Sequence, residues 1–180
     1  KIYKKIKKKQ NKNLIRLHNI KNHLSQMNLT KKVGLDDVLG QMKGKRVIMR
    51  VDFNCPVKEG VVKDNTRIRA TLPSIKAILK AEPKCLILMS HLGRPDGKRT
   101  EKDTLKSVSV ALEELLGNKV NFLGDCVGGE VEKACLTADK SEVILLENLR
   151  FHPEEEGSSV GEDGKKVKCS KEDVEKFRDQ

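Results

Sequence analysis

Residues 50 to 56 read Arg-Val-Asp-Phe-Asn-Cys-Pro and follow the apolar run Val47-Ile48-Met49. On a strand, the two-residue period puts Arg50, Asp52 and Asn54 on one face, with Val51 and Phe53 on the other. A guanidinium, a carboxylate and an amide at the mouth of a buried strand are costly to desolvate, and they suit recognition of a polar ligand. The bland alternative is a structural Arg50–Asp52 pair that orients the following turn. Two more clusters share the setting. Ser90-His91-Leu92-Gly93-Arg94 follows the apolar run Cys85 to Met89, and Glu147-Asn148-Leu149-Arg150 follows the run ending at Leu146. Gly93 permits close backbone approach and Arg94 offers a bidentate fork, so these residues fit an anion. Arg67 falls in the first turn of a predicted helix. There it opposes the helix dipole and is either solvated or directed outward at an anion. No conventional nucleophile–base pair accompanies these groups. The cluster suits a small phosphorylated, hydroxylated acid better than covalent catalysis.

These residues need a scaffold that brings strand ends together. The pattern predicts strands over 46–51, 85–89, 120–123 and 142–146, and helices over 66–81, 108–116 and 129–136. A small hairpin is expected over 57–63, a charged loop or surface hairpin over 154–168, and a last helix from Lys171. The continuous apolar runs at 85–89 and 142–146 mark strands buried on both faces of a parallel sheet. The expected fold is therefore α/β, a three-layer Rossmann-like domain with a mostly parallel central sheet. Its ligands belong at the carboxyl ends of the strands.

The formal charge of +11 is unevenly placed. Residues 1–32 contain eleven Lys or Arg and no acid, leaving 26 basic residues against the chain's 26 acids. The basicity belongs to a Lys-, Asn- and Ile-rich extension at residues 1–26, expected to lack fixed structure, although Leu14, Leu17, Ile20 and Leu24 permit a short amphipathic helix. Nucleic-acid binding is not expected, because the extension interleaves only Tyr3 as a stacking platform. Five cysteines without a Cys-x-x-Cys pair argue against a zinc site and suit reduced thiols in a cytoplasmic protein. No apolar run is long enough to span a membrane. The string Gly40 to Lys45 lacks the spacing, the Ser or Thr, and the preceding strand of a phosphate loop.

Five stretches in order, RVDFNCP (50–56), DNTRI (64–68), SHLGRPDG (90–97), FLGDCVGGEVE (122–132) and LLENLRFHPEEEG (145–157), resemble the amino-terminal domain of the phosphoglycerate kinases. The resemblance covers residues 27–180. It implies a glycolytic, monomeric, cytoplasmic kinase that transfers a phosphoryl group between ATP and 3-phosphoglycerate, giving 1,3-bisphosphoglycerate and ADP. It implies that Asp52, Phe53, Asn54, Arg67, His91, Leu92, Gly93, Arg94 and Arg150 bind the glycerate, with Arg67 also catalytic beside the transferring group. Mg2+ with ATP or ADP is expected on a carboxyl-terminal domain absent from this sequence, so the chain is expected to be inactive alone; no metal site is expected within it. Cys55 stands where the family usually has Val, and Ser107-Val108-Ser109-Val110 lacks a proline common at that helix start. A non-catalytic anion-binding or interaction module is the reading of a different class. If residues 27–180 are the folded unit, deleting 1–26 leaves melting temperature and glycerate affinity unchanged, which thermal unfolding and titration at physiological salt check.

Overall fold

The computed structural model describes residues 14–16, 32–161 and 164–179. Apart from 14–16, the basic extension lies outside the described residues. The central sheet is wholly parallel. Its five strands are β1 (Leu14–Arg16), β2 (Arg46–Arg50), β5 (Cys85–Met89), β6 (Val120–Phe122) and β7 (Glu142–Leu145), in the order β1-β2-β5-β7-β6. Short antiparallel hairpins β3 (Val57–Lys58) with β4 (Val61–Val62), and β8 (Ser158–Val160) with β9 (Lys166–Lys168), lie apart from it. Residues 1–26 are expected to lack fixed structure or to form a short helix through Leu14, but Leu14–Arg16 is extended and pairs with Arg46–Ile48, so deleting 1–26 removes an edge strand and is expected to lower the melting temperature instead of leaving it unchanged. The backbone groups of β2 on that side are thereby paired over three residues.

Helices α1 (Thr66–Lys80), α2 (Lys106–Leu116), α3 (Gly129–Thr137), the single turn α4 (Pro153–Glu156) and α5 (Lys171–Arg178) complete the fold. The two-residue period of β5 divides its side chains between two cores. Leu86 and Leu88 join Ile68, Ile75 and Ile78 of α1 and Val108 and Leu112 of α2. Cys85 and Ile87 join Val131 and Cys135 of α3, with Phe177 of α5 packed alongside. The result is three layers, with the buried runs of β5 and β7 in the middle. Helix α1 continues through exposed Pro73, which lacks the N–H that would bond back into the preceding turn. Its start is held by Asp64, whose Oδ1 accepts the Thr66 N–H at 2.8 Å, not by a side chain of the capping residue Asn65.

Boundaries move little from those the pattern predicts. Helix α2 starts two residues earlier, at Lys106, because Glu147 accepts the Leu105 N–H at 2.8 Å and supports the turn before it. At the opposite end of the sheet from the candidate site, buried Arg46 donates to the carbonyls of Cys135 at 2.8 Å and Leu136 at 2.6 Å. Those carbonyls belong to the last turn of α3, where backbone acceptors are orphaned and a cation is favoured by the dipole. Replacing Arg46 with Met keeps the aliphatic stem and removes both bonds. The expected cost is about 1.5–3 kcal/mol for lost charged hydrogen bonds, read by urea denaturation.

Candidate functional site

Parallel register brings three strand ends to one edge. Arg50 is opposite Met89, and Leu88 is opposite Leu145. The chain leaves β2 at Arg50, yet the in–out alternation persists: Val51, Phe53 and Cys55 are buried, Asp52 is exposed and Asn54 half-buried. Ser90, fully buried at the end of β5, holds this extension in place. Its hydroxyl donates to the Val51 carbonyl at 2.9 Å and accepts the Phe53 N–H at 3.0 Å. Phe53 carries no exposed surface, and its carbonyl accepts the Cys55 N–H at 2.7 Å. It anchors the loop while Asp52 and Asn54 face outward. Asp52 Oδ1 accepts the Asn54 N–H at 3.1 Å, a local turn that fixes both side chains.

The loop after β5 is bound to this one. The Gly93 N–H donates to Asn54 Oδ1 at 2.9 Å. Gly93 has φ +64°, and a Cβ there would overlap Asp103 Oδ1, so position and conformation both require glycine. Gly97, at φ +77°, lies where a Cβ would come 2.8 Å from Pro153. Asn148, buried without exposure, joins the third loop to the second. Its Nδ2 donates to the carbonyls of Leu92 at 2.7 Å and Asp103 at 2.8 Å, and its Oδ1 accepts the Arg150 N–H at 3.1 Å. The Leu92 side chain is buried in the core below. Arg150 Nη1 then donates to the Gly93 carbonyl at 3.0 Å.

Four guanidinium groups, of Arg50, Arg67, Arg94 and Arg150, belong to this edge. Arg67, in the first turn of α1, is paired with Asp52 across the gap between helix and loop. Arg50 Nη2 lies 2.5 Å from Glu155 Oε1, and Arg150 Nε lies 3.1 Å from Glu156 Oε1. Arg94 is exposed and without a hydrogen bond or ion pair among the described residues. His91 has its pKa held below the ordinary imidazole range, first by burial and then by Arg150; the Asp52 charge opposes this only in part. At neutral pH it is therefore a neutral imidazole, not a fifth cation.

Beyond this edge, the ligand atoms of Asp125, Cys126 and His152 lie within 4.8 Å of one another. His152 Nε2 is 2.7 Å from Asp125 Oδ1, which also accepts the Cys126 N–H at 2.7 Å. Arg99 reaches Asp125 Oδ2 at 3.2 Å and lies over the Phe151 ring. Burial pushes the Cys126 thiol up to about 12, which makes it a poor nucleophile. With the Asp125 carboxylate engaged by His152, the Cys126 N–H and Arg99, the trio is a clasp between the segment after β6 and the segment before α4. Magnesium does not fit it, since that ion demands oxygen ligands in octahedral array and the trio offers one carboxylate.

Of the residues singled out in the sequence, Asp52, Asn54, Arg67, Gly93 and Arg150 are joined by contacts across this edge, and His91 feels the charges of Arg150 and Asp52 there. Phe53 and Leu92 bury their side chains beneath it, and Arg94 stands at its exposed rim. The sequence places Ser90, Glu147 and Asn148 in the strand-end clusters without individual roles, and it gives Glu155 and Glu156 none. A polar residue directly abutting a buried apolar run was the available signal for the first three. Nothing in the local pattern distinguished the acids of 154–156 from a solvated charge run.

A family model for phosphoglycerate kinase matches residues 35–178. A phosphoglycerate kinase of Tetrahymena thermophila is 58% identical over 150 residues, covering 83% of this chain and 36% of that protein. One of Plasmodium falciparum is 54% identical over equal shares, 83% and 36%. The crystal structure of phosphoglycerate kinase from Pyrococcus horikoshii aligns with a TM-score of 0.57 at 32% identity, covering 63% of this chain and 27% of that one. The structure of phosphoglycerate kinase from Coxiella burnetii aligns with a TM-score of 0.52 at 31% identity, covering 62% of this chain and 27% of that one. This chain belongs to the phosphoglycerate kinase family, and it spans about 36% of the length of these curated relatives.

His91 gives the site a pH signature. Its folded-state pKa lies below the ordinary 6.5, so beneath that pH the unfolded chain binds the proton first. Stability is then full above 6.5 and declines as pH falls through the window between 6.5 and the lower folded value. His91→Gln is expected to flatten that decline in urea titrations across about pH 7 to pH 5. Asp125→Asn should not alter it, because the lowered carboxyl of Asp125 stabilises the fold above its ordinary 3.8 and is lost only in more acid solution.

Proposed function

We propose that residues 27–180, as part of a phosphoglycerate kinase, form the amino-terminal domain that binds 3-phosphoglycerate for phosphoryl exchange with ATP in glycolysis. The observation carrying this reading is the convergence of Arg67, Arg150, His91, Asp52 and Asn54 on one sheet edge, with Arg94 at its rim. Asp52 accepts a hydrogen bond from the glycerate hydroxyl, and the Asn54 amide donates to its carboxylate end. Arg94 and Arg150 hold the 3-phosphate, Arg150 being oriented by the Gly93 carbonyl. His91, Leu92 and Gly93 form the wall beside it, and Phe53 sets the opposing loop from below.

Family membership supports phosphoryl transfer, and the chemistry explains why no general base accompanies the cluster. The acceptor is a carboxylate whose pKa is about 3.5, so it is ionised at neutral pH and there is no proton to remove. Rate must come from alignment and from neutralising the anions brought together. Arg67 stands at the helix start with its partner Asp52 at the loop tip, and we assign it the charge on the transferring group. ATP supplies the phosphoryl group; we place its binding, with magnesium, in the share of the relatives' length that this chain does not span. In that reading the 180 residues bind substrate and do not turn it over.

Two measurements test this. Titrated by calorimetry or NMR, the chain is expected to bind 3-phosphoglycerate more tightly than sulfate at matched ionic strength, with no ATP turnover in a coupled assay. Failure to distinguish the two anions reduces the site to a general anion patch. In an enzyme of the relatives' full length, Arg94→Ala is expected to weaken glycerate binding by about 1.5–3 kcal/mol. Arg67→Ala should lower kcat much more than it raises KM. Equal kinetic signatures for the two variants refute the assignment.

A further inference from the structure

Glu155 and Glu156 come from one turn of helix, α4, and point at two different arginines of the site. Glu155 is 18% exposed against 53% for Arg50, while Glu156 and Arg150 are 33% and 24% exposed, so the second pair is the less screened of the two. The two contacts differ in kind. Arg50 and Glu155 share a hydrogen bond of 2.5 Å. Arg150 Nε is buried and lacks a hydrogen bond despite lying 3.1 Å from Glu156 Oε1. The second attraction is therefore chiefly Coulombic, and Arg150 is oriented by its separate bond to the Gly93 carbonyl.

We propose that Glu155 and Glu156 are specificity-determining residues, internal anions that an incoming ligand must displace from, or share with, Arg50 and Arg150. The proposal rests on the glycerate-binding reading and adds to it a discrimination among anions. A bare inorganic anion gains guanidinium contacts and forfeits those of the carboxylates, so its net gain is small. A phosphorylated hydroxy acid meets the same cost, yet it also reaches Asp52 and Asn54, which a lone phosphate at the arginines does not. Selectivity then comes from penalising the simpler anion as well as from contacts to the preferred one. If the two glutamates instead served only to hold the arginines still, removing their charge would loosen the site and weaken every anion. The two roles predict opposite signs.

The test uses the whole 180-residue chain with Glu155→Gln, Glu156→Gln and the double variant, which keep side-chain volume and remove charge. Inorganic phosphate and 3-phosphoglycerate are titrated separately at fixed ionic strength, with amide NMR spectra confirming the fold of each variant. Phosphate affinity is expected to rise about three- to five-fold per substitution, the upper range for a weakly screened pair. The preference for 3-phosphoglycerate over phosphate should narrow in step, and Glu156→Asp, which restores the charge, should return phosphate affinity toward that of the parent. Unchanged or weaker phosphate binding in folded variants overturns the proposal, as does the absence of phosphate binding in all of them. A double variant that fails to fold leaves the two single variants to decide. Tighter phosphate binding in the variants, together with no preference for 3-phosphoglycerate in the parent, sinks the glycerate reading while the carboxylate screening stands.

Discussion

Parallel pairing of β2 with β5 and of β5 with β7 is the constraint from which the site follows. Each strand leaves the sheet in the same direction, and the runs of β5 and β7 are buried on both faces. Polar chemistry cannot be placed along such strands without leaving unpaired groups in a core. It is displaced to their ends, where Asp52, His91 and Arg150 are brought to one edge from well-separated stretches of the sequence. Local structure supplies little of this proximity; the long-range register supplies nearly all of it.

Between the apolar layers and the outward-facing groups lies a shell of buried polar atoms that are almost all satisfied. Ser90 joins the loop after β2 to the end of β5. Asn148 joins the loops after β5 and β7, and Glu147 accepts from Thr104, Leu105 and the Asn148 N–H. A fully paired network in a low-dielectric setting is stiff, since each lost bond leaves a stranded partner. That stiffness converts a sheet edge into a site with fixed distances. Gly93 belongs to the same logic, because Asp103 fills the space in which any side chain would have to lie.

The alternation of apolar and polar residues was enough to locate the strands, the two cores and the edge where ligands belong, since burial period is a local property. Asp52, His91 and Arg150 were legible because charge or imidazole at the end of an apolar run is conspicuous. Ser90 and Asn148 were not, because a hydroxyl or an amide gains its meaning only from partners on other strands. The pairing of Leu14–Arg16 with β2 was hidden for a related reason: a Lys- and Asn-rich stretch carries no strand signal, and backbone hydrogen bonds do not depend on side-chain type. The acids of α4 belonged to an expected charged loop or surface hairpin, because three consecutive glutamates carry no local signal for the helical turn they form or for the arginines they reach.

Those acids change how the electrostatics of the edge should be understood. Four arginines suggest a strongly positive cleft, yet Asp52, Glu155 and Glu156 offset three of them. A cluster of like charges held by a rigid shell would repel itself and strain the loops that carry it. Interleaved carboxylates remove that repulsion in the free chain, at the cost of competing with any anion that arrives. The same groups that let four guanidiniums coexist therefore set the threshold a ligand must exceed, so that folding and selectivity are governed by one arrangement of charge.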